Sequence, residues 1–586
     1  MTDDPLMERA RRLGVMTEYE GMDGTAVTPP RSTIQTLVGM LDTRDAPPEA
    51  DLRLRVPDGV RCHGDEDAAR RWGVAVQLYQ LRSDRNWGIG DFADLADLAA
   101  LLAAEGADFI GLNPLHAPFL SGPERCSPFS PSDRRMLNPL YIAVDRVPGF
   151  DPTLADAATL HRLRGAEHVD YTGVAACKLA TLRGIWRGQG AMATPEVTHW
   201  ARFEVVSAHR VACGDGPTWR DWPVEWQDPN SPTVQEFIAR NADEVGFYTW
   251  LQTVAADQLA MVRRTCRDAG MAIGLYLDFA VGEDPGGAGS WGVSDVVATA
   301  RVGAPPDQFS DEGQNWGLLP LSPVRMAETG SEPFRHAIEP VLAQAGAVRI
   351  DHAMGLWQLF LIPQDGSAAE GTYVRYPLSD TLRVLAELSH THRALVVGED
   401  LGNVPRGFRA VMEAAGILSY RILFFERDGA EFTPPADYPV QALACLSTHD
   451  LPPFRSWWTG VDNQLREELG LVTVSGNAER AAERQQDRDR LVAALHQGEQ
   501  EVDPSDMDGL VIAVHRHLAM APSRLFVARF EDMAGETVAV NVPGTSDDLY
   551  PNWRPKLRAT FADIMASVLA RKVTSALRDV RPAEAD

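Results

Sequence analysis

Short apolar runs and longer amphipathic stretches alternate along most of this chain. Eight runs read as strands, at 74–81, 109–114, 272–278, 347–351, 394–399, 418–425, 442–450 and 525–530. They are rich in Val, Ile, Leu and Phe, and too short for helices. Between them apolar positions recur at helical spacing in 92–102, 251–269, 334–345, 378–389 and 408–415, and after the last run in 557–577. Near-continuous apolar strands separated by helices predict a parallel sheet, and eight such units predict an α/β fold of the (β/α)8 TIM barrel class. Two stretches do not fit the repeat: about 115–250, with mixed helical signals, and about 455–521, charged and Gln-rich. Both read as helical insertions at the C-terminal face. Ahead of the barrel, 6–13 and 32–41 have helical spacing, and 45–66 is rich in Pro and charge. Residues 1–70 therefore read as a short N-terminal helical extension with its linker, and 71–586 as the barrel.

The residues that close these runs carry the chemistry. Val348-Arg349-Ile350-Asp351 ends in a carboxylate, 394–399 ends in Glu399, and 442–450 ends in His449 and Asp450. Asp278 closes a fourth run. Barrels of this class place their active sites at the C-terminal ends of the strands. Arg349 precedes Asp351 by two residues, so both side chains leave one face of the strand, and the cation keeps the carboxylate ionised. Several acids on one rim repel each other, and folding alone would not select them. Paired carboxylates across a scissile bond are the machinery of glycoside chemistry.

Composition narrows the picture. The 586 residues are 45% hydrophobic and 23% charged, enough for a large core. A net charge of -27 argues against nucleic acid and against an anionic membrane surface as partners. No apolar run is long enough to span a bilayer, and the first residues lack the features of a signal peptide. The six cysteines are scattered, with no C-x-x-C or zinc spacing, which suits free thiols in a reducing cytoplasm.

Gly88-Ile-Gly90-Asp-Phe-Ala93 matches a dinucleotide fingerprint, but the preceding run ends near Leu81 and Asp91 would set a negative charge where a pyrophosphate binds. A tight loop over the barrel mouth is the better reading. His390 and His392, and likewise His515 and His517, lack the partners of a metal site, so neither metal nor cofactor is expected. Trp87, Phe129, Phe309, Trp316, Trp357 and Trp553 fall in loops with Asn86, Gln314, Asn315 and Asn552. Aromatic faces beside amides suit sugar rings, although loop packing would use the same residues.

With these residues in view, the chain resembles the 4-alpha-glucanotransferases (amylomaltases, or disproportionating enzymes) of the alpha-amylase-like clan. The matching stretches are Asn86 to Phe92, Gly111 to His116, Ser127 to Pro131, Gly303 to Asp307, Gly313 to Gly317, Arg349 to His352, Gly398 to Gly402, Thr448 to Asp450 and Asn541 to Thr545, with Asn552-Trp553. Residues 1–42 resemble the N-terminal segment of the longer bacterial maltodextrin-system form, without its additional β-rich domain. The resemblance implies a retaining double displacement that moves a segment of an α-1,4-glucan donor to the 4-hydroxyl of an acceptor glucan or glucose, without cofactor or metal. It implies Asp351 as nucleophile, Glu399 as general acid/base and Asp450 as transition-state stabiliser. Arg349, His449 and Asp278 would support the sugar beside the nucleophile. Ser127, Phe129, Asp307, Gln314, Trp316 and Asn552 would line donor and acceptor subsites. Phe129 stands where the family usually has Tyr, Ala353-Met354 replaces a common Phe-Arg pair, and Leu451-Pro-Pro453 also departs. These departures bear on chain-length preference. A hydrolase, with water in the acceptor's place, would use the same three acids. A sugar-binding barrel without activity would lack one of them.

Overall fold

A computed structural model shows eight parallel strands closed into a barrel. It describes residues 4–582 except 22–23, 42–50, 65–68, 189, 307–311 and 499. The barrel strands are β1 (Arg71–Val76), β2 (Phe109–Leu112), β3 (Gly274–Phe279), β4 (Ala347–Ile350), β5 (Leu395–Gly398), β6 (Leu418–Ile422), β7 (Ala442–Cys445) and β8 (Leu525–Arg529). Each pairs with the next, and β8 closes on β1. All eight expected strands are present.

Their inward side chains follow the two-residue period. Phe109, Tyr276, Ala347, Leu395, Val397, Leu418, Tyr420, Ile422, Leu443, Cys445, Leu525 and Val527 fill the barrel as one apolar cluster. Continuing that parity towards the C-terminal end brings Asp278, Arg349, Asp351, Glu399, Ser447, His449 and Arg529 to the inner rim. The apolar layer below thus fixes where the polar layer points.

Several boundaries differ from expectation. β1 ends at Val76, and Leu78–Gln80 turn as a 3-10 helix. The Leu78 amide donates to Asn113 Oδ1 (2.8 Å) in place of a ladder partner. β6 and β7 stop at Ile422 and Cys445; the Leu423 amide gives one last bond to the Cys445 carbonyl (3.0 Å), and Leu423 and Leu446 are buried beyond the ladder. The helix expected from residue 251 begins at Ala242, inside the predicted insertion, and runs to Asp268. The closing helix is two, Phe561–Ala566 and Val568–Val580, divided at Ser567, whose hydroxyl caps the second.

The largest element outside those expected is a second sheet. Thr372–Arg375, Gln358–Pro363, Ala300–Ala304 and Gln314–Leu318 form a four-stranded antiparallel sheet in that order. It stands beside the mouth, and its strands follow β3 and β4. The N-terminal helices Pro5–Arg12 and Arg31–Leu41 flank a segment that docks on its edge. Val15 bridges Val374, the Met16 amide donates to the Tyr373 carbonyl (2.9 Å), and the Arg375 amide donates to the Gly14 carbonyl (2.9 Å). Gly14 has φ +80°, and a Cβ there would lie 2.8 Å from the Arg375 carbonyl oxygen, so the contact requires glycine. Among the described residues, no helix is long and apolar enough to cross a membrane.

Candidate active site at the barrel mouth

Arg349 on β4 stands in register with Asp278 on β3, so both project into the barrel at one level. Arg349 Nη1 donates to both oxygens of Asp278 (2.8 and 2.9 Å). Its Nη2 lies 3.0 Å from Asp351 Oδ1. Burial disfavours the Arg349 cation, but Asp278 and Asp351 outweigh that and hold it firmly protonated. Burial also pushes Asp278 up, to about 6, with Arg349 opposing. At neutral pH the pair is ionised. One buried guanidinium thus fixes two carboxylates by charge-assisted bonds.

Glu399 follows β5 directly and is buried. Its Oε2 accepts the His352 amide (2.9 Å) and its Oε1 accepts the Leu401 amide (2.8 Å). Burial pushes its pKa up to about 7; Arg349 opposes this, and the Asp351 charge adds to it. A carboxyl half protonated at neutral pH can give and take a proton. His352 has φ +48°, a left-handed conformation that is unusual for a residue other than glycine. That turn aims its amide at Glu399. Trp316 packs edge-on against the His352 ring, with centroids 5.1 Å apart.

Asp450 lies beyond the end of β7, with its side chain 47% exposed towards the mouth. His449 Nε2 is 3.3 Å from its Oδ2, and Asn541 Nδ2 donates to its Oδ1 (2.6 Å). Partial desolvation at the mouth acts to raise its pKa, but His449 and the Asn541 amide prevail and set it at about 2. Burial acts to lower the His449 pKa, but Asp450 outweighs it and raises the value. Phe129 stacks on the His449 ring (centroids 4.6 Å apart, planes at 23°), and Trp553 leans on both.

The remaining predicted residues spread round this centre. Gln314 and Trp316 lie together on the sheet strand, where the indole N–H donates to Gln314 Oε1 (3.0 Å). Ser127 opens a turn closed by the Ser130 amide on its carbonyl (3.2 Å), which carries Phe129. The Asn552 amide is used within its own loop: Oδ1 accepts the Val542 amide and Nδ2 donates to Thr545 Oγ1, both at 2.9 Å. It therefore shapes the loop that brings Asn541 to Asp450. Asp307 and Phe309 lie outside the described residues. In the sequence Asn541 stands out only as part of a family stretch, which does not imply its contact with Asp450. Nothing local in the sequence signals a pairing across 91 residues.

The glycine loop serves the fold. Asp91 caps the helix Phe92–Ala104 through the Ala93 and Asp94 amides, occupying the N–H groups a phosphate would need. Arg85 pairs with Asp91 and Asp94. His390 reaches the Arg61 carbonyl (3.1 Å), and His392 faces Glu339 (3.8 Å). Among the described residues, no group of three His, Cys, Asp or Glu converges as a metal site.

The family model described as 4-alpha-glucanotransferase matches residues 76–561. The 4-alpha-glucanotransferase of Mycobacterium tuberculosis is 38% identical over 555 residues, covering 87% of this chain and 76% of the relative. That of Haemophilus influenzae is 33% identical over 536 residues, covering 85% and 76%. Among solved structures, an amylomaltase from Corynebacterium glutamicum superposes with a TM-score of 0.84 at 26% identity, covering 98% of this chain and 99% of that one. With this extent of matching and three acids gathered at strands β4, β5 and β7, the chain belongs to the 4-alpha-glucanotransferase family.

Proposed function

We propose that Asp351, Glu399 and Asp450 are the nucleophile, the general acid/base and the transition-state stabiliser of this transferase. The observation that carries the reading is the division of labour among the acids. Arg349 orients Asp351, burial keeps a proton on Glu399, and His449 with Asn541 hold Asp450 ionised. Divergent environments of this kind separate acid from base. In the first step Glu399 gives its proton to the glycosidic oxygen while Asp351 attacks C1. The C1–O bond breaks, the reducing-end glucan leaves with its 4-hydroxyl, and a glucosyl ester forms on Asp351. In the second step Glu399, now a carboxylate, takes the proton of an acceptor 4-hydroxyl. That oxygen attacks C1 and releases Asp351. Asp450 offsets the positive charge that develops on the sugar in both steps.

Arg349, His449 and Asp278 support the donor sugar in this reading. Ser127, Phe129, Gln314 and Trp316 border the donor and acceptor subsites, Asp307 takes the same role from the family resemblance alone, and Asn552 acts through its loop. The substrates are α-1,4-glucans, as donor and as acceptor. Residues 1–70 form an extension to a barrel over 71–586. The six free cysteines fit a cytoplasmic setting. Product analysis on maltotriose tests the whole. The expected result is glucose and a ladder of longer maltodextrins at nearly constant reducing ends, without dependence on phosphate. Reducing ends that rise in step with maltotriose loss, with no product longer than the substrate, would make the chain a hydrolase.

A further inference from the structure

Asp450 and His449 sit on a loop, Leu446 to Pro453, and not on a strand. Something must hold that loop to the rim. Arg529, the last residue of β8, shares the inward parity of Leu525 and Val527 and is 4% exposed. Its Nη1 donates to Ser447 Oγ (3.0 Å), to the Thr448 carbonyl (2.6 Å) and to the Leu451 carbonyl (2.9 Å). Two N–H groups serve three acceptors, so one is shared. Thr448 immediately precedes His449, and Leu451 immediately follows Asp450. The guanidinium therefore grips the loop on both sides of the two functional residues. Glu531, also buried, balances its charge at 3.4 Å. On the inner side, Ser447, Thr448, His449 and Arg529 border a chamber of about 50 Å³ within the barrel. A loosened loop has room to move into it.

We propose that Arg529 is a positioning residue that sets Asp450 and His449 against the developing charge. The proposal rests on the role of Asp450 given above. Arg529→Lys keeps a cation for Glu531, but its ammonium ends one bond short of Nη1 and has no fork, so it cannot hold the Ser447, Thr448 and Leu451 oxygens and Glu531 together. Displacing a catalytic group by about 1 Å costs up to ~100-fold, so kcat for maltotriose transfer should fall roughly 10- to 100-fold while KM stays within about twofold. Affinity for acarbose, whose bridging amine carries positive charge, should weaken in parallel with kcat. Ser447→Ala removes one of the three bonds and should shift kcat the same way by a few-fold, as about 1 kcal/mol of hydrogen bonding implies. It decides the matter if Arg529→Lys does not fold, folding being read from the melting curve. An unchanged kcat in the folded variants, or equal loss of maltotriose and acarbose affinity, overturns the proposal. Asp450→Asn separates the two readings: if it keeps full activity the role of Asp450 fails, and if it is inactive while Arg529→Lys is normal only Arg529 fails.

Discussion

The raised proton affinity of Glu399 has a direct kinetic signature. Its pKa of about 7 stands well above the ordinary 4.5. At pH 7 a carboxyl of ordinary pKa is about 0.3% protonated and one at 7 about 50%, so burial supplies roughly 150-fold more acid. Departure of the leaving glucan needs that proton. The kcat/KM for maltotriose should therefore be flat near pH 6, half-maximal near 7, and fall about tenfold per unit above 8. The perturbation is a change of leaving group. With a maltosyl fluoride donor, fluoride departs without a proton, and the basic limb in donor kcat/KM should disappear. Glu399→Gln should lose maltotriose transfer by ~10²–10⁴ yet retain use of the fluoride donor in forming the ester. Initial rates from pH 5 to 9 with both donors are the assay. A basic limb that persists unchanged with the fluoride donor refutes the assignment. So does a limb in maltotriose kcat/KM centred near 4.5.

Three further outcomes follow from the same geometry. Because the folded pKa of Glu399 exceeds its ordinary value, its contribution to stability is present below pH 4.5 and is lost as pH rises through 7. Glu399→Gln should then melt above wild type at pH 8, with the gap closing towards pH 5; a lower melting temperature at pH 8 contradicts this. A fluoro-sugar trap should leave a glucosyl ester on Asp351 in peptide maps of wild type and none in Asp351→Ala, and a label on another acid reassigns the nucleophile. Arg349→Met strands Asp278 and Asp351 without their cation and should cost about 3–5 kcal/mol in urea unfolding as well as activity; a loss below 1 kcal/mol would mean the ion pair is dispensable.

The barrel was legible in the sequence because its strands are buried on both faces and read as unbroken apolar runs. The same property blurred their ends, since Leu423 and Leu446 are as apolar as the ladder residues before them. In the four-stranded sheet the central Leu359–Ile362 is a buried apolar run of the same kind, but the outer strand carries no such signal. Gln314–Leu318 reads Gln-Asn-Trp-Gly-Leu, a half-exposed strand with no alternation to detect. Asp351 and Glu399 declared themselves as charges closing apolar runs. Asn541 and Arg529 could not, because their meaning lies in partners 91 and about 80 residues away, brought together only by closure of β7 on β8.

The docking of residues 14–16 on the Thr372–Arg375 strand has a practical consequence. That strand ends the four-stranded sheet, and Met16, Tyr19 and Val27 pack on Phe360, Ile362 and Tyr373 behind it. A chain trimmed to residue 71 would present a bare strand edge beside an uncovered aromatic patch. Unprotected edges of that kind recruit other strands. Shortening this enzyme to its barrel should yield self-associating material in place of a minimal catalyst, and a solubilising tag belongs at the other terminus.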